Sequence, residues 1–319
     1  MVKIVVIDGY TLNPGDNPWT PLEQLGSLEV HDHTEPEDVA AQAQHADILI
    51  VNKCTVSAET IERLPALRFI AVTATGFNIV DVAAARRLGI PVANVPEYGT
   101  KTVAQFTWAL ILELCHHVGR HVESVAAGDW TRTTDFCYWL TPQVELAGKR
   151  LGLIGYGRIA RHVATIGREF GMNILAAGRP GSPAPAGEAV EWLSIEEIFA
   201  TADVVSLHCP LTAATQKMVN RQLLGHMRRD AFLINTSRGG LVDEDALSEA
   251  LRAGQLAAAA VDVVSVEPIR SDNPLLAAPN CLITPHMAWT SLAARQRLTR
   301  ITAENVAAFL AGRPINIVN

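Results

Sequence analysis

The chain has 319 residues, 49% of them hydrophobic and 18% charged, with a formal net charge of -7. That is long for one domain, ordinary for two, and enough to bury a sizeable core. An acidic balance without a lysine-rich run gives no basic field for nucleic acid, and five scattered Cys residues with no CxxC or CxxH pair suit reduced thiols better than disulfides or zinc.

A first strand is predicted in "MVKIVVIDGY", where the apolar run before Asp8 is too short for a signal peptide. Val- and Ile-rich runs then recur as "ADILIVN", "RFIAVTA", "IPVANV", "RLGLIG", "NILAAG", "DVVSLHC", "AFLINTS", "AAVDVV" and "CLITP". Most are apolar throughout instead of alternating, as parallel strands covered on both faces are. Helical segments separate many of them. "DVAAARRLG" and "RIARHVATIGREFG" each reach Gly after basic residues, a C-cap signature, and "TVAQFTWALILELCHHVGR" (102–120) reads as one long connecting helix. Its apolar run "FTWALILEL" is too short to cross a bilayer, so a cytoplasmic protein with no membrane partner is expected. "GRPGSPAPAGEA" (178–189) reads as a loop, and "SLAARQRLTRITAENVAAFLAG" as a terminal amphipathic helix. Strand–helix alternation of this kind predicts α/β doubly wound sheets.

Mid-chain, "RLGLIGYGRIARHVA" sets Gly155, Gly157 and Ala160 in a GxGxxA pattern between a strand and a helix. Gly155 permits the tight turn, Gly157 lets a pyrophosphate approach the backbone, and Ala160 lets helix pack on strand. Tyr156, Arg158 and Ile159 share that turn. About a hundred residues precede it and must form another lobe. At the end of the next strand an NAD site places an acid on the ribose 2′-hydroxyl; here Gly178 and Arg179 stand in its place. Either Arg179 is a solvated loop residue, or it pairs with the extra phosphate of NADP through its planar donor fork. The coincidence of a missing acid and a present arginine favours NADP, with NAD possible and Ser182 able to add a hydroxyl.

The runs "ELAGKRLGLIGYGRIA", "HCPLTAAT", "LINTSRGGLVDEDAL", "AVDVVSVEP" and "ITPHMAW" follow one another in the order of a known family. The chain resembles, over essentially its whole length, the D-isomer-specific 2-hydroxyacid dehydrogenases. "FCYWLTPQVELAGK" and the Trp after "PHMA" resemble the glycerate dehydrogenase or hydroxypyruvate/glyoxylate reductase branch. The resemblance implies two doubly wound parallel-sheet lobes, with a Rossmann-type cofactor lobe (100–287) inserted into a flavodoxin-like substrate lobe. Residues 1–99 and a returning C-terminal helix (288–319) form the latter. It also implies an active site in the cleft between the lobes, and a homodimer.

Reducing a 2-keto acid requires a cation for the carboxylate, a proton donor for the carbonyl oxygen and a hydride donor facing C2. The family pattern carries the protein's share onto Arg238, Glu267 and His286 as catalytic residues. His286 would be the acid and, in reverse, the base, a task suited to imidazole in general. Glu267 would orient the ring, and Arg238 would bind the carboxylate and polarise the carbonyl. The pattern further implies that Thr236 and Ser237 contact the nicotinamide ribose or carboxamide, that Cys209 and Pro210 line the adenine side, and that Thr215 touches the phosphates. Asp262 would meet the nicotinamide end, or else cap a strand-end turn. Thr102 would meet the cofactor, or else cap the connecting helix. The backbone N–H groups of Thr75 and Gly76 would hold the substrate carboxylate, unless "TATGFN" is an ordinary turn. Lys53 is a candidate to face the cleft, and Trp289 shapes the substrate pocket or packs in a core. His208 reads as a strand-end packing residue. His116, His117 and His121 lack a completing carboxylate or Cys, so no metal is expected.

The reading is an NADP-preferring reductase of small 2-keto acids, hydroxypyruvate and glyoxylate foremost. The alternatives are a dehydrogenase for another 2-hydroxy acid or a phosphorus oxyacid, or a nucleotide-sensing binding protein like the corepressors of this fold. No GxSxG supports hydrolase chemistry.

Overall fold

The computed structural model describes residues 1–179, 181–184 and 186–319. Pro180 and Pro185, within the loop expected at 178–189, lie outside the described residues. The chain divides into two compact units, Met1–Gly99 with Trp289–Asn319, and Thr100–Ala288.

In the first unit β1 (Lys3–Val6), β2 (Ser27–Val30), β3 (Ile48–Val51), β4 (Phe69–Val72) and β5 (Val92–Ala93) form one sheet in the order β2-β1-β3-β4-β5, every pair parallel. This is the flavodoxin-like order, whose ligand crevice lies where the winding reverses, outside the carboxyl ends of β1 and β3. β3 and β4 are buried at every residue, which is why they read as unbroken apolar runs. The terminal helix Leu292–Leu310 belongs to this unit and stacks Phe309 on Phe69 with ring centroids 4.5 Å apart. Its Arg295 is buried, bonds Asp16 Oδ2 at 2.7 Å and donates through Nε to the Thr290 carbonyl at 2.9 Å, tying the loop after β1 to the helix start.

The second unit contains β6 (Arg150–Ile154), β7 (Asn173–Ala177), β8 (Glu191–Trp192), β9 (Val204–Leu207), β10 (Phe232–Asn235), β11 (Ala258–Val261) and β12 (Cys281–Ile283). Their order is β12-β11-β10-β9-β6-β7-β8, again wholly parallel. Read from β8 it is the Rossmann order 3-2-1-4-5-6 with one strand added, and its winding reverses between β6 and β9. One core cluster sets Ile198, Phe199, Leu247 and Leu251 against one face of the sheet; the other sets Trp108, Ile111, Val163 and Ala164 against the opposite face. Trp108 Nε1 donates to the Val163 carbonyl at 3.1 Å, pinning one covering helix to the next.

Two sequence expectations change. The connecting helix spans Thr100–His116 and stops at His117, whose φ of 46° is left-handed; a second helix, Val118–Ala126, follows. β2 and β8 had no counterpart among the predicted strands. Both lie at sheet edges, where half the residues face water and the continuous apolar signature is lost. Among the described residues no helix is long and apolar enough to cross a membrane.

Candidate active site

The candidate residues of the second unit follow the carboxyl ends of neighbouring strands: Gly155 after β6, Cys209 after β9, Thr236 to Arg238 after β10, Asp262 and Glu267 after β11, and His286 after β12. Parallel strands all point their loops the same way, so residues from Gly155 to His286 reach one edge.

The glycine turn fits a dinucleotide phosphate. Gly155 has φ 89°, and a Cβ there would stand 2.7 Å from Cys209 N and 2.8 Å from His208 C, so the loops after β6 and β9 touch because neither steric demand is present. Gly157 is the N-cap of the helix Arg158–Glu169, with no side-chain cap and open space where a Cβ would point. The first-turn N–H groups of that helix are therefore presented to an anion. Ala160 is fully buried, as helix–strand packing requires. Tyr156, half-buried, lies under the Arg161 guanidinium at 5.0 Å; Arg158 is exposed and Ile159 packs against the core cluster.

The candidate proton-transfer group is a bonded pair. His286 Nδ1 lies 2.6 Å from Glu267 Oε2, with side chains 26% and 36% exposed. Glu267 Oε1 accepts the Val264 N–H at 3.2 Å, so the carboxylate is fixed from behind. With Nδ1 engaged, Nε2 is the ring nitrogen that a proton-transfer role would use. The His286 backbone is left-handed, φ 51°, and its N–H donates to the Asp262 carbonyl at 2.8 Å.

Asp262, 1% exposed, explains how a histidine keeps that conformation. Its Oδ1 accepts the Thr284 hydroxyl at 2.6 Å and the Met287 N–H at 2.9 Å; its Oδ2 accepts the Ala288 N–H at 2.8 Å. The carboxylate thus holds the loop on both sides of His286. Burial pushes its pKa above the usual value, against the pull of these bonds. The alternative role raised by the sequence, an acid holding a turn at a strand end, is what this geometry displays.

The β10 loop is built similarly. Buried Asn235 accepts the Ser237 N–H at 3.0 Å and donates to the Arg238 carbonyl at 2.9 Å, while the Ser237 hydroxyl donates to the Cys209 carbonyl at 2.8 Å. Arg238 projects to the surface, its Nη1 on the Ser237 carbonyl. Thr107 gives its proton to the Val103 carbonyl, so Thr236, 2.9 Å away, donates to Thr107. The Thr215 hydroxyl is taken up in its own turn by the Pro210 carbonyl at 2.7 Å. Desolvation pushes the pKa of the Cys209 thiol up, which favours its uncharged form. His208 bonds Ser206 Oγ at 2.9 Å, and desolvation lowers its pKa from 6.5 to about 4, so it is neutral at pH 7. Thr102 is the third residue of its helix and not the cap.

Arg179 is exposed, and among the described residues no side chain pairs with its guanidinium. Its carbonyl accepts both the N–H and the Oγ of Ser182, at 2.9 and 2.6 Å.

In the first unit Lys53 follows β3, and Thr75 and Gly76 follow β4. The Thr75 hydroxyl donates to the Val95 carbonyl at 2.8 Å, bracing that turn. Trp289 is buried with its ring edge-on to Tyr98, centroids 6.3 Å apart. Sequence reasoning missed Asp8, whose left-handed backbone aims its carboxylate at the N–H groups of Asn52, Lys53 and Cys54, at 3.0, 2.6 and 2.6 Å. An Asp–Gly pair two residues beyond the end of β1 was the available signal. His121 accepts the Leu140 N–H and bonds the His117 carbonyl, a staple for the segment around it.

Comparison with known proteins gives a consistent picture. Residues 108–288 match the model of the D-isomer specific 2-hydroxyacid dehydrogenase NAD-binding domain. A hydroxypyruvate reductase of Blautia hydrogenotrophica is 46% identical, with all of both chains covered, and a glyoxylate reductase of Aeropyrum pernix is 38% identical over 93% of this chain and 91% of its own. Among solved structures, an acyclic imino acid reductase in complex with NADPH and D-Arg superimposes with a TM-score of 0.85 at 28% identity, both chains fully covered.

Proposed function

This chain belongs to the D-isomer-specific 2-hydroxyacid dehydrogenase family, and we propose that it reduces small 2-keto acids, hydroxypyruvate and glyoxylate foremost, to D-2-hydroxy acids with NADPH in preference to NADH. The observation that carries the reading is the His286–Glu267 pair, on the same sheet edge as an uncapped glycine turn. The names of the two relatives support the substrate class, and the Arg179 environment supports the phosphorylated cofactor.

A bound reduced nicotinamide supplies the hydride that C2 of the keto acid receives. His286 Nε2 donates the proton that the carbonyl oxygen takes up as its charge develops, and recovers it in the oxidation direction. Glu267 keeps the ring in one orientation and balances the positive charge it carries when protonated. Arg238 holds the substrate carboxylate, with Asn235 fixing the backbone from which it projects. The helix start at Gly157, with Tyr156, Arg158 and Ile159, receives the pyrophosphate. Thr236, Ser237 and Asp262 would serve the nicotinamide end, Cys209 and Pro210 the adenine side, Thr215 the phosphates, and Thr102 the pyrophosphate or the nicotinamide. Lys53, Thr75, Gly76 and Trp289 are proposed as substrate contacts on the family pattern alone.

The test is an initial-rate panel of NADPH and NADH against glyoxylate, hydroxypyruvate, pyruvate and bulkier keto acids, run on the wild type and Arg179→Ala. Losing the contact of a guanidinium with a phosphate should raise KM for NADPH about ten- to a hundredfold and leave NADH nearly unchanged. Equal losses would remove Arg179 from the phosphate. Binding of NADPH without turnover of any keto acid would point instead to a nucleotide-sensing protein.

We also propose a homodimer. The segment after the Val118–Ala126 helix exposes Phe136 at 89% and Trp139 at 68%, and Trp139 lines, with Val118, Val122 and Val125, a groove of about 540 Å³. Large side chains and an apolar groove on one segment suit a two-fold interface, which must complement itself. Sedimentation equilibrium should give a dimer, and Phe136→Asp with Trp139→Asp a monomer; a monomeric wild type would refute it.

A further inference from the structure

Gly178 ends the strand-to-loop passage where NAD enzymes carry an acid. In this protein that position is closed to any side chain. A Cβ on Gly178 would stand 2.5 Å from Trp192 Cζ2, 2.8 Å from Trp192 Cη2 and 2.6 Å from Ser182 Oγ. The two indole atoms belong to the six-membered ring, the part of tryptophan that a phenylalanine in its place would not extend so far. Trp192 cannot swing away cheaply. It ends β8, paired in register with Ala176 of β7, and its ring meets Tyr156 edge-on at 6.1 Å. Its Nε1 also donates to the Ser182 carbonyl at 3.2 Å. Ser182 in turn bonds the Arg179 carbonyl twice. The indole therefore touches both halves of the cofactor question: it fills the space an acid would need, and it anchors the turn from which Arg179 projects.

We propose that Trp192 is a specificity-determining residue for the cofactor, excluding a carboxylate from position 178 and holding the Arg179–Ser182 turn where a 2′-phosphate is bound. The inference rests on the NADPH preference argued above. It adds a cause that the arginine alone does not supply, because an acid and an arginine can coexist in one loop unless the acid is barred sterically.

The experiment compares full-length wild type, Gly178→Asp, Trp192→Phe and the double variant, reading kcat/KM for NADPH and NADH and the melting temperature of each. Phenylalanine keeps the packing on Tyr156 while removing Nε1 and the far ring atoms. Gly178→Asp alone should lose NADPH activity without gaining NADH activity, and should melt below wild type. The double variant should recover melting temperature and raise NADH kcat/KM at least about tenfold over Gly178→Asp, the size of effect one well-placed hydrogen-bonding group confers. Trp192→Phe alone should raise KM for NADPH severalfold and leave kcat unchanged. If Gly178→Asp does not fold and the double variant does, exclusion by the indole is upheld; if both fail to fold, an unchanged NADPH KM in Trp192→Phe overturns the proposal and a raised one supports it. NADH activity gained equally with and without Trp192→Phe overturns the proposal while leaving the NADPH reading intact. A wild type that prefers NADH removes both.

Discussion

Replacing His286 by alanine is expected to lower kcat for keto-acid reduction by about 10²–10⁴-fold, the usual range for loss of general acid–base assistance. The expectation follows from geometry: Nδ1 is tied to Glu267 at 2.6 Å, so the ring offers Nε2 in one orientation. Alanine removes the proton donor and leaves the glycine turn and its uncapped helix untouched, so binding of NADPH, followed by fluorescence, should match wild type. The loss should therefore fall on kcat and on its pH profile. A rate within twofold of wild type would take His286 out of the mechanism.

Asp262→Ala should be nearly as damaging by another route. The substitution strands the Met287 and Ala288 N–H groups, one on each side of a buried carboxylate, and frees the Thr284 hydroxyl. Leaving such donors unpaired costs about 1–3 kcal/mol each, so about 3 kcal/mol of stability is expected to go, visible as a lower denaturation midpoint. Activity should fall as well, because the bonds of Asp262 to Thr284 and Met287 brace the loop in which His286 adopts φ 51°. A shift of about 1 Å in a reacting group can cost about 10²-fold, and kcat measured well below the new melting point should show a loss of that order. Wild-type kcat with lowered stability would make Asp262 a structural brace alone.

Much of this was legible before any coordinates. Parallel strands buried on both faces announce themselves as apolar runs, and the residues after them inherit a common edge, so Gly155 could be named from its place between strand and helix, whereas Arg238, Glu267 and His286 could be named only from the family resemblance. What escaped were features whose cause is not local. β8 has two residues and an exposed face, so only its register with β7 makes it a strand, and Trp192 was passed over with it. The helix break at His117 has no Gly or Pro to mark it; a left-handed histidine interrupts an apolar pattern that continues past it. Asp8 looked like an ordinary strand end until the N–H groups of Asn52 to Cys54, more than forty residues on, were found facing it.

The order of strands has one more implication. The turn bearing Arg179 follows β7 and the loop bearing His286 follows β12, five strand spacings away. At about 4.8 Å per spacing, some 24 Å of rigid sheet separates them. Groups that far apart, sharing no partners, respond to substitution independently. Substitutions at the proposed cofactor-selecting turn are therefore expected to leave the proposed proton donor untouched, so this scaffold is free to drift between metabolic pools of electrons while its chemistry stands still.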